Sequence, residues 1–404
     1  MAGRVRTVIM GAGGRDFHTF NTLYRNDPSH EVVAFTAAQI PGIAGRRYPP
    51  TLAGPLYPDG IAIHDEAALE TIIGARRVDR VVFAYSDVAH VEVMQRASRV
   101  LAAGAEFVLP DPLRSMLPAP LPVIAICAVR TGCGKSQVAR WIGRRLAARG
   151  LRVGVLRHPM PYGDLARQAV QRFAAAEDLD AARCTIEERE EYEPHLAAGL
   201  VVHAGAETAA VLAAASQGND LLLWDGGNND FPFIRPDLLV VLADALRPGH
   251  ERLFHPGEAV LRRADIMLIA KANAAGEADV AALAASVRSL CPGARILRGA
   301  SVVTLDDPTA VRGRRALVIE DGPTLTHGGM SHGAGLLAAR EAGAEIVDPR
   351  RSATAEVAAL YEAHPQLGPV LPAMGYSEAQ RRALVATVAA SAAEIVVTGT
   401  PADL

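Results

Sequence analysis

Residues 123–140 read Val-Ile-Ala-Ile-Cys-Ala-Val-Arg-Thr-Gly-Cys-Gly-Lys-Ser-Gln-Val-Ala-Arg. The apolar run Val123 to Val129 ends in Arg130-Thr131-Gly132-Cys133-Gly134-Lys135-Ser136, and an amphipathic segment begins at once. Strand, glycine-rich turn, helix is the setting that a phosphate-binding loop requires. The glycines let successive N–H groups converge on phosphate oxygens, and the helix start adds partial positive charge. In such a loop Thr131, Gly132, Cys133, Gly134 and Gln137 surround the phosphates. Lys135 reaches the β- and γ-phosphates, and the Ser136 hydroxyl ligates Mg²⁺.

Val129 stands where the usual pattern opens with glycine. The form Arg-Thr-Gly-x-Gly-Lys-Ser resembles the deviant loops of dethiobiotin synthetase and the MinD-type ATPases, with Arg130 at the position of the MinD signature lysine. Composition speaks for the same stretch. Of 41 Lys plus Arg, only Lys135 and Lys271 are lysine. A compact ammonium on a flexible stem is not interchangeable with a planar guanidinium. Both lysines are therefore singled out.

Some 90 residues further on, the apolar run Leu221 to Trp224 ends in Asp225-Gly226-Gly227-Asn228-Asn229-Asp230. This is a Walker B pattern, with Asp225 coordinating Mg²⁺ directly or through water. Ile266 to Ala270 leads into Lys271-Ala272-Asn273, placed as a base-recognition loop would be. There the lysine stem packs on the purine and the Asn273 amide pairs with its edge. Guanine-specific loops want Asp where Asn273 stands, so ATP is the expected nucleotide. The last strand ends in Thr398-Gly399-Thr400, a contact to ribose or base.

Upstream, Val5 to Met10 reads as a strand and is followed by Gly11-Ala12-Gly13-Gly14-Arg15-Asp16-Phe17-His18. Further strands at 31–35, 80–85 and 106–109 alternate with helices at 66–74 and 89–103, which implies a parallel sheet. A lone glycine pair is weak evidence for a dinucleotide. Asp16 takes the third glycine position, and no acid ends the second strand to hold a ribose hydroxyl. The turn at Gly13, Gly14, Arg15 and His18 reads equally as a seat for a small phosphorylated or carboxylated molecule and as a tight turn with a surface arginine. Residues 42–58, rich in Gly and Pro, form a long connection of the kind that tends to be functional. The run Glu187 to Glu193 is a solvated helix face or supplies an acid, Glu190, to Mg²⁺. Residues 320–335 form a second glycine-rich loop able to hold another anion.

The expected fold is thus α/β: an N-terminal Rossmann-like parallel-sheet domain (1–111), a proline-rich linker (112–122) and a larger P-loop NTPase domain (123–404) of deviant Walker A type. Net charge of −3 with no Lys/Arg block excludes a nucleic-acid binder held by bulk electrostatics. No apolar run reaches the roughly 18 residues of a membrane span. Four scattered cysteines without a CxxC pair fit reduced thiols, so a cytoplasmic protein is expected.

On Gly11 to His18, Arg130 to Ser136, Arg157 to Gly163, Glu187 to Glu193, Asp225 to Asp230 and Glu320 to Gly335, the chain resembles the cyclic 2,3-diphosphoglycerate synthetase family. The resemblance implies ATP-dependent closure of an intramolecular phosphoanhydride, with release of ADP and phosphate. It implies Lys135 and Mg²⁺ (Ser136, Asp225) on the ATP phosphates and Arg130 on the transferring phosphoryl group. Arg15, Arg157 and His158 would hold a small anionic acceptor, joined by Gly13, Gly14, His18, Arg247 and His327; a homodimer is expected. Two other readings keep the loop: activation of a carboxylate as an acyl phosphate for amide or lactam formation, and a nucleotide-switch GTPase. Against the latter, no Cys/His-rich metal pocket is present in the sequence.

Overall fold

The structure, a computed structural model, describes residues 3–38, 43–158, 160, 163–226, 230–326, 328–373 and 377–400. His327, Gly227, Asn228 and Asn229 fall outside these, so the role expected of His327 lies outside the described residues.

Three sheets of four or more strands, with one two-stranded ribbon besides, organise the described residues. The first contains β1 (Val5–Met10), β2 (His30–Ala37), β3 (Arg47–Tyr48), β4 (Ile61–Asp65), β5 (Arg80–Phe83) and, beyond a short β6 (Val88–Ala89), β7 (Glu106–Val108). Its order is β3-β4-β2-β1-β5-β7, parallel except for β3. Behind the first glycine turn an α-helix over Arg15–Thr19 continues as a π-helical turn over Phe20–Tyr24.

The second sheet contains β8 (Val123–Ala128), β9 (Val153–Arg157), β10 (Gln171–Phe173), β11 (Val201–Ala204), β12 (Leu221–Asp225), β13 (Leu238–Asp244), β15 (Ile266–Ala270) and β16 (Arg295–Arg298). The order is β10-β11-β9-β12-β8-β13-β15-β16, with only β10 antiparallel. Most residues of β8 and β12 are buried, as parallel strands covered on both faces must be. Each fully buried Val, Ile or Leu there contributes about 1.5–3 kcal/mol relative to exposure. That burial holds the carboxyl ends of β8 and β12 side by side, so Asp225 lies next to the strand that feeds the glycine loop.

The stretch from 305 onward carries its own sheet and core. Here β17 (Arg315–Glu320) is central, with β20 (Ile395–Gly399) on one side and β18 (Glu345–Ile346) and β19 (Leu371–Pro372) also paired to it, all parallel.

The first two units are knitted together. β6 pairs antiparallel with β14 (Phe254–His255), and Leu165 and Ala206 complete the core beneath the first sheet. The proline-rich segment is bonded in place too: the Leu117 N–H donates to Phe233 O, and Leu117 O accepts from Arg235 N–H. The Gly- and Pro-rich connection at 42–58, expected to be functional, does packing work in its described part. Tyr48 is fully buried and donates to Asn21 Oδ1 at 2.9 Å; Tyr57 is also buried and its hydroxyl accepts from the Val32 N–H. Aromatic rings that large are held by the core rather than offered to a ligand. Among the described residues, no helix is long and apolar enough to cross a membrane.

Candidate active site

The loop after β8 forms as its residue types dictate. Gly132 and Gly134 have φ of +79° and +92°, backbone that favours glycine. The helix Lys135–Ala147 starts directly behind, so Lys135 and Ser136 fall in its first turn. Both face Asp225, at 3.5 Å from Lys135 Nζ and 3.3 Å from Ser136 Oγ to Oδ1. Lys135 also donates to Gly226 O. Gln137 is exposed one turn along, beside Gly134.

Asp225 has no exposed surface, and its second oxygen is occupied as well. Oδ2 accepts from Arg157 Nη1 at 2.6 Å and from His195 Nε2 at 2.8 Å. Burial pushes the Asp225 carboxyl up, but Arg157, Lys135 and the His195 bond outweigh it and hold it below the usual carboxylate range. Arg157, expected at the acceptor, is itself 3% exposed and pairs on its other side with Glu191. Its guanidinium is committed to these two carboxylates. A hydroxyl and a carboxylate oxygen are the hard donors that Mg²⁺ takes alongside phosphates and water. Ser136 and Asp225 fit that ion. Among the described residues no group of three or more His, Cys, Asp or Glu could hold a metal by itself.

On the side facing the first unit, Lys135, His158, Trp224, Asp230, Phe231 and Phe233 line a narrow crevice. His158 lies against Gly14. Its Nδ1 is buried with no partner among the described residues, and burial, with Arg157 nearby, lowers its pKa. Arg15 and His18 reach the same wall but are engaged. Arg15 pairs with Asp230 at 2.8 Å, donates to Phe231 O at 2.5 Å and lies over the Phe233 ring. His18 stacks on Phe233 at 4.1 Å, and its two nitrogens meet Thr208 Oγ1 and Ser115 O. Burial and Arg15 depress its pKa to about 3. The Gly13 and Gly14 amides expected to seat an anion donate to the Asp16 carboxylate, at 2.7 and 3.0 Å. Asp16 is thus an internal anion in the nest, which is why the third glycine is missing. The second glycine-rich loop behaves alike: Glu320 accepts from the Gly335 and Leu336 amides at the start of helix Ala334–Glu341.

The opposite flank of the loop is clamped by charge. Asp87 accepts from Arg130 Nε at 2.6 Å and from the Thr131 N–H at 3.2 Å, and Arg130 lies 3.5 Å from the Phe254 ring centroid. In this arrangement Arg130 points to the first unit. Lys271, expected under a purine, donates to Asp244 Oδ2 at 2.7 Å and to Gly132 O at 2.8 Å. Arg247 also pairs with Asp244 and donates to Thr131 O at 2.7 Å and Gly328 O at 3.1 Å. Arg247 therefore touches the loop backbone. Both ends of the Asn273 amide are taken by the backbone of Ser301.

The third unit closes over the loop, with Thr324 and Met330 next to Gly132. Thr398 is exposed on β20, Gly399 abuts Glu320, and Thr400 donates to Glu190. Burial, reinforced by Asp321, pushes the Glu190 carboxyl well above its ordinary range. Glu190 therefore holds its proton more tightly than an exposed carboxyl, which counts against the charged oxygen that Mg²⁺ prefers. Sequence reasoning missed Asp87, Asp244, Asp230, Glu191 and His195 as partners. Asp244 and Asp230 stood at or beyond strand ends and could have been suspected; nothing local marked Asp87 or His195.

No family model matches the chain. It is 52% identical over 400 residues to the arginine synthetase ArcE of Thermococcus kodakarensis, covering 99% of this chain and 89% of that one. Among solved structures, LpxK from Aquifex aeolicus in complex with ATP overlaps 57% of this chain and 71% of its own at 15% identity, TM-score 0.36. The hydrogenase maturation factor HypB from Archaeoglobus fulgidus overlaps 52% and 90% at 16% identity, TM-score 0.24. Likeness that loose carries no argument about activity.

Proposed function

The chain belongs to the family of the arginine synthetase ArcE, and on that premise we propose that it is an ATP- and Mg²⁺-dependent ligase with arginine as its product. The observation that carries the reading is the convergence of Lys135 and Ser136 on the buried Asp225. A synthetase couples bond formation to nucleotide cleavage, and these residues are the ones that hold a triphosphate with its metal.

Arginine carries a guanidinium, and chemistry suggests how a phosphoryl group would build one. The acceptor is the ureido amino acid with oxygen where arginine has its terminal nitrogen. Its ureido oxygen attacks the γ-phosphorus of ATP, the bond to the β-γ bridging oxygen breaks, and ADP leaves. Ammonia then adds to the activated carbon, phosphate departs with the former ureido oxygen, and a proton is lost to give arginine. Lys135 orients the triphosphate and offsets its charge, and the loop amides hold it for in-line attack. Mg²⁺, when bound by Ser136 and Asp225, supplies charge neutralisation at the phosphates.

The phosphoanhydride-closing reaction implied by the sequence resemblance is the second reading; it shares the triphosphate half and differs in the acceptor. Incubation with ATP, Mg²⁺ and ammonium, with either the ureido amino acid or 2,3-diphosphoglycerate, separates the two. Arginine detected by mass spectrometry, together with ADP, is the expected result. A cyclic diphosphate without arginine would sink the first reading in favour of the second.

A further inference from the structure

We propose that His195 is a positioning residue: together with Arg157 it fixes the rotation of the Asp225 carboxylate, so that a single oxygen faces the magnesium side. This rests on the reading of Asp225 as the acid of a MgATP site. Four side chains divide the two oxygens of this buried carboxylate. Oδ1 faces Lys135 and Ser136, and Oδ2 accepts from Arg157 and His195. A carboxylate torsion is broad and nearly two-fold, so without donors on Oδ2 either oxygen, or both, could turn to the loop.

Arg157 and His195 approach Oδ2 from different elements. Arg157 closes β9, and its other nitrogen is held by Glu191. His195 belongs to the helix Ile186–Ala197, which also carries Glu191. One helix therefore anchors both donors. His195 has no exposed surface, and its Nδ1 has no partner among the described residues. A carboxylate only accepts, so Nε2 carries the proton and makes the ring's one polar bond. A residue kept only to fill space would be better apolar, because a buried ring nitrogen without a partner is costly. The bond to Oδ2 is what distinguishes histidine here.

The test compares His195→Gln, whose amide nitrogen can stand where Nε2 stands, with His195→Asn, whose amide falls short, and His195→Leu, which fills the space without a donor. Calorimetry measures ATP binding in EDTA and across a magnesium titration, with no acceptor present; thermal unfolding verifies that each variant is folded. Outer-shell partners of metal ligands typically matter ten- to a hundredfold, so Leu and Asn should raise the Mg²⁺ concentration for half-maximal tightening about tenfold or more. ATP binding in EDTA should stay within about twofold, and Gln should remain within about threefold of wild type in magnesium. Should Leu fail to fold, the Gln and Asn pair makes the same comparison. Wild-type magnesium dependence in all three variants overturns the role of His195, as does a Gln variant no better than Asn. A wild type that shows no magnesium-dependent tightening overturns the reading of Asp225 as well.

Discussion

Arg15 Nε donates to Asp230 Oδ2 at 2.8 Å across the seam between the first two units, and each side chain is only 9% exposed. The pair makes Arg15 a staple rather than a free anion receptor. Removing one partner of a buried pair costs about 3–5 kcal/mol because the other charge is left uncompensated. Arg15→Ala should therefore lower the melting temperature by several degrees, and the Arg15→Ala/Asp230→Ala double variant should lose less than the sum of the singles. An unchanged melting temperature combined with weakened acceptor binding would return Arg15 to the acceptor.

Lys135 carries the largest catalytic expectation. Lys135→Ala should lower ATP turnover by about 10²–10³-fold, as for loss of a preorganised electrostatic donor. Lys135→Arg should not restore it, because a planar fork cannot replace a point charge in so tight a turn. Phosphate release under saturating ATP reads both. Wild-type turnover in the alanine variant would move the chemistry away from this loop.

Lys271 discriminates clamp from base reader. It bonds Asp244 and the Gly132 carbonyl, so Lys271→Met should weaken ATP and GTP alike by roughly ten- to a hundredfold, the worth of a charged hydrogen bond of about 1.5–3 kcal/mol. A changed ratio of the two affinities with little loss for one of them would mean that the lysine reads the purine. Equilibrium binding of both nucleotides decides.

Asp16 gives a pH signature. Burial raises its carboxyl from the ordinary 3.8 to about 6, against the hydrogen bonds from Gly13, Gly14 and Phe17. A carboxyl with a raised folded-state pKa holds its proton more tightly when folded. Its contribution is thus most favourable at low pH and is lost as pH rises from about 4 through about 6. Asp16→Asn keeps an acceptor oxygen and removes the titration. The stability of wild type minus that of this variant should fall across that window by up to about 3 kcal/mol and be flat above pH 7. Denaturant unfolding at a series of pH values measures it; a difference that rises with pH contradicts the burial of this acid.

Lys135, Ser136 and Asp225 were legible from residues alone, because their relation depends on strand-to-helix spacing and on a strand end, both written locally. Lys271 was legible as unusual but not in its role: being one of two lysines says nothing about whether the ammonium meets a purine or Asp244. Two glycine turns were offered as anion seats, the first of them equally as a plain tight turn, and neither with its occupant. Asp16 lay in plain view two residues beyond Gly14, yet that its carboxylate folds back on the Gly13 and Gly14 amides depends on turn geometry.

Residue order by itself determined the alternation of strand and helix, the glycine turn that opens the helix at Lys135 and the acid at the end of β12, because periodicity and spacing act over a few neighbours. Only the tertiary structure decided which charges are free to act. An arginine looks the same in sequence whether it awaits a ligand, as was expected of Arg15 and Arg157, or already neutralises Asp230 or Asp225. Its partner is set by packing that brings together residues up to 215 positions apart, and in a buried setting it is the partner that fixes the role.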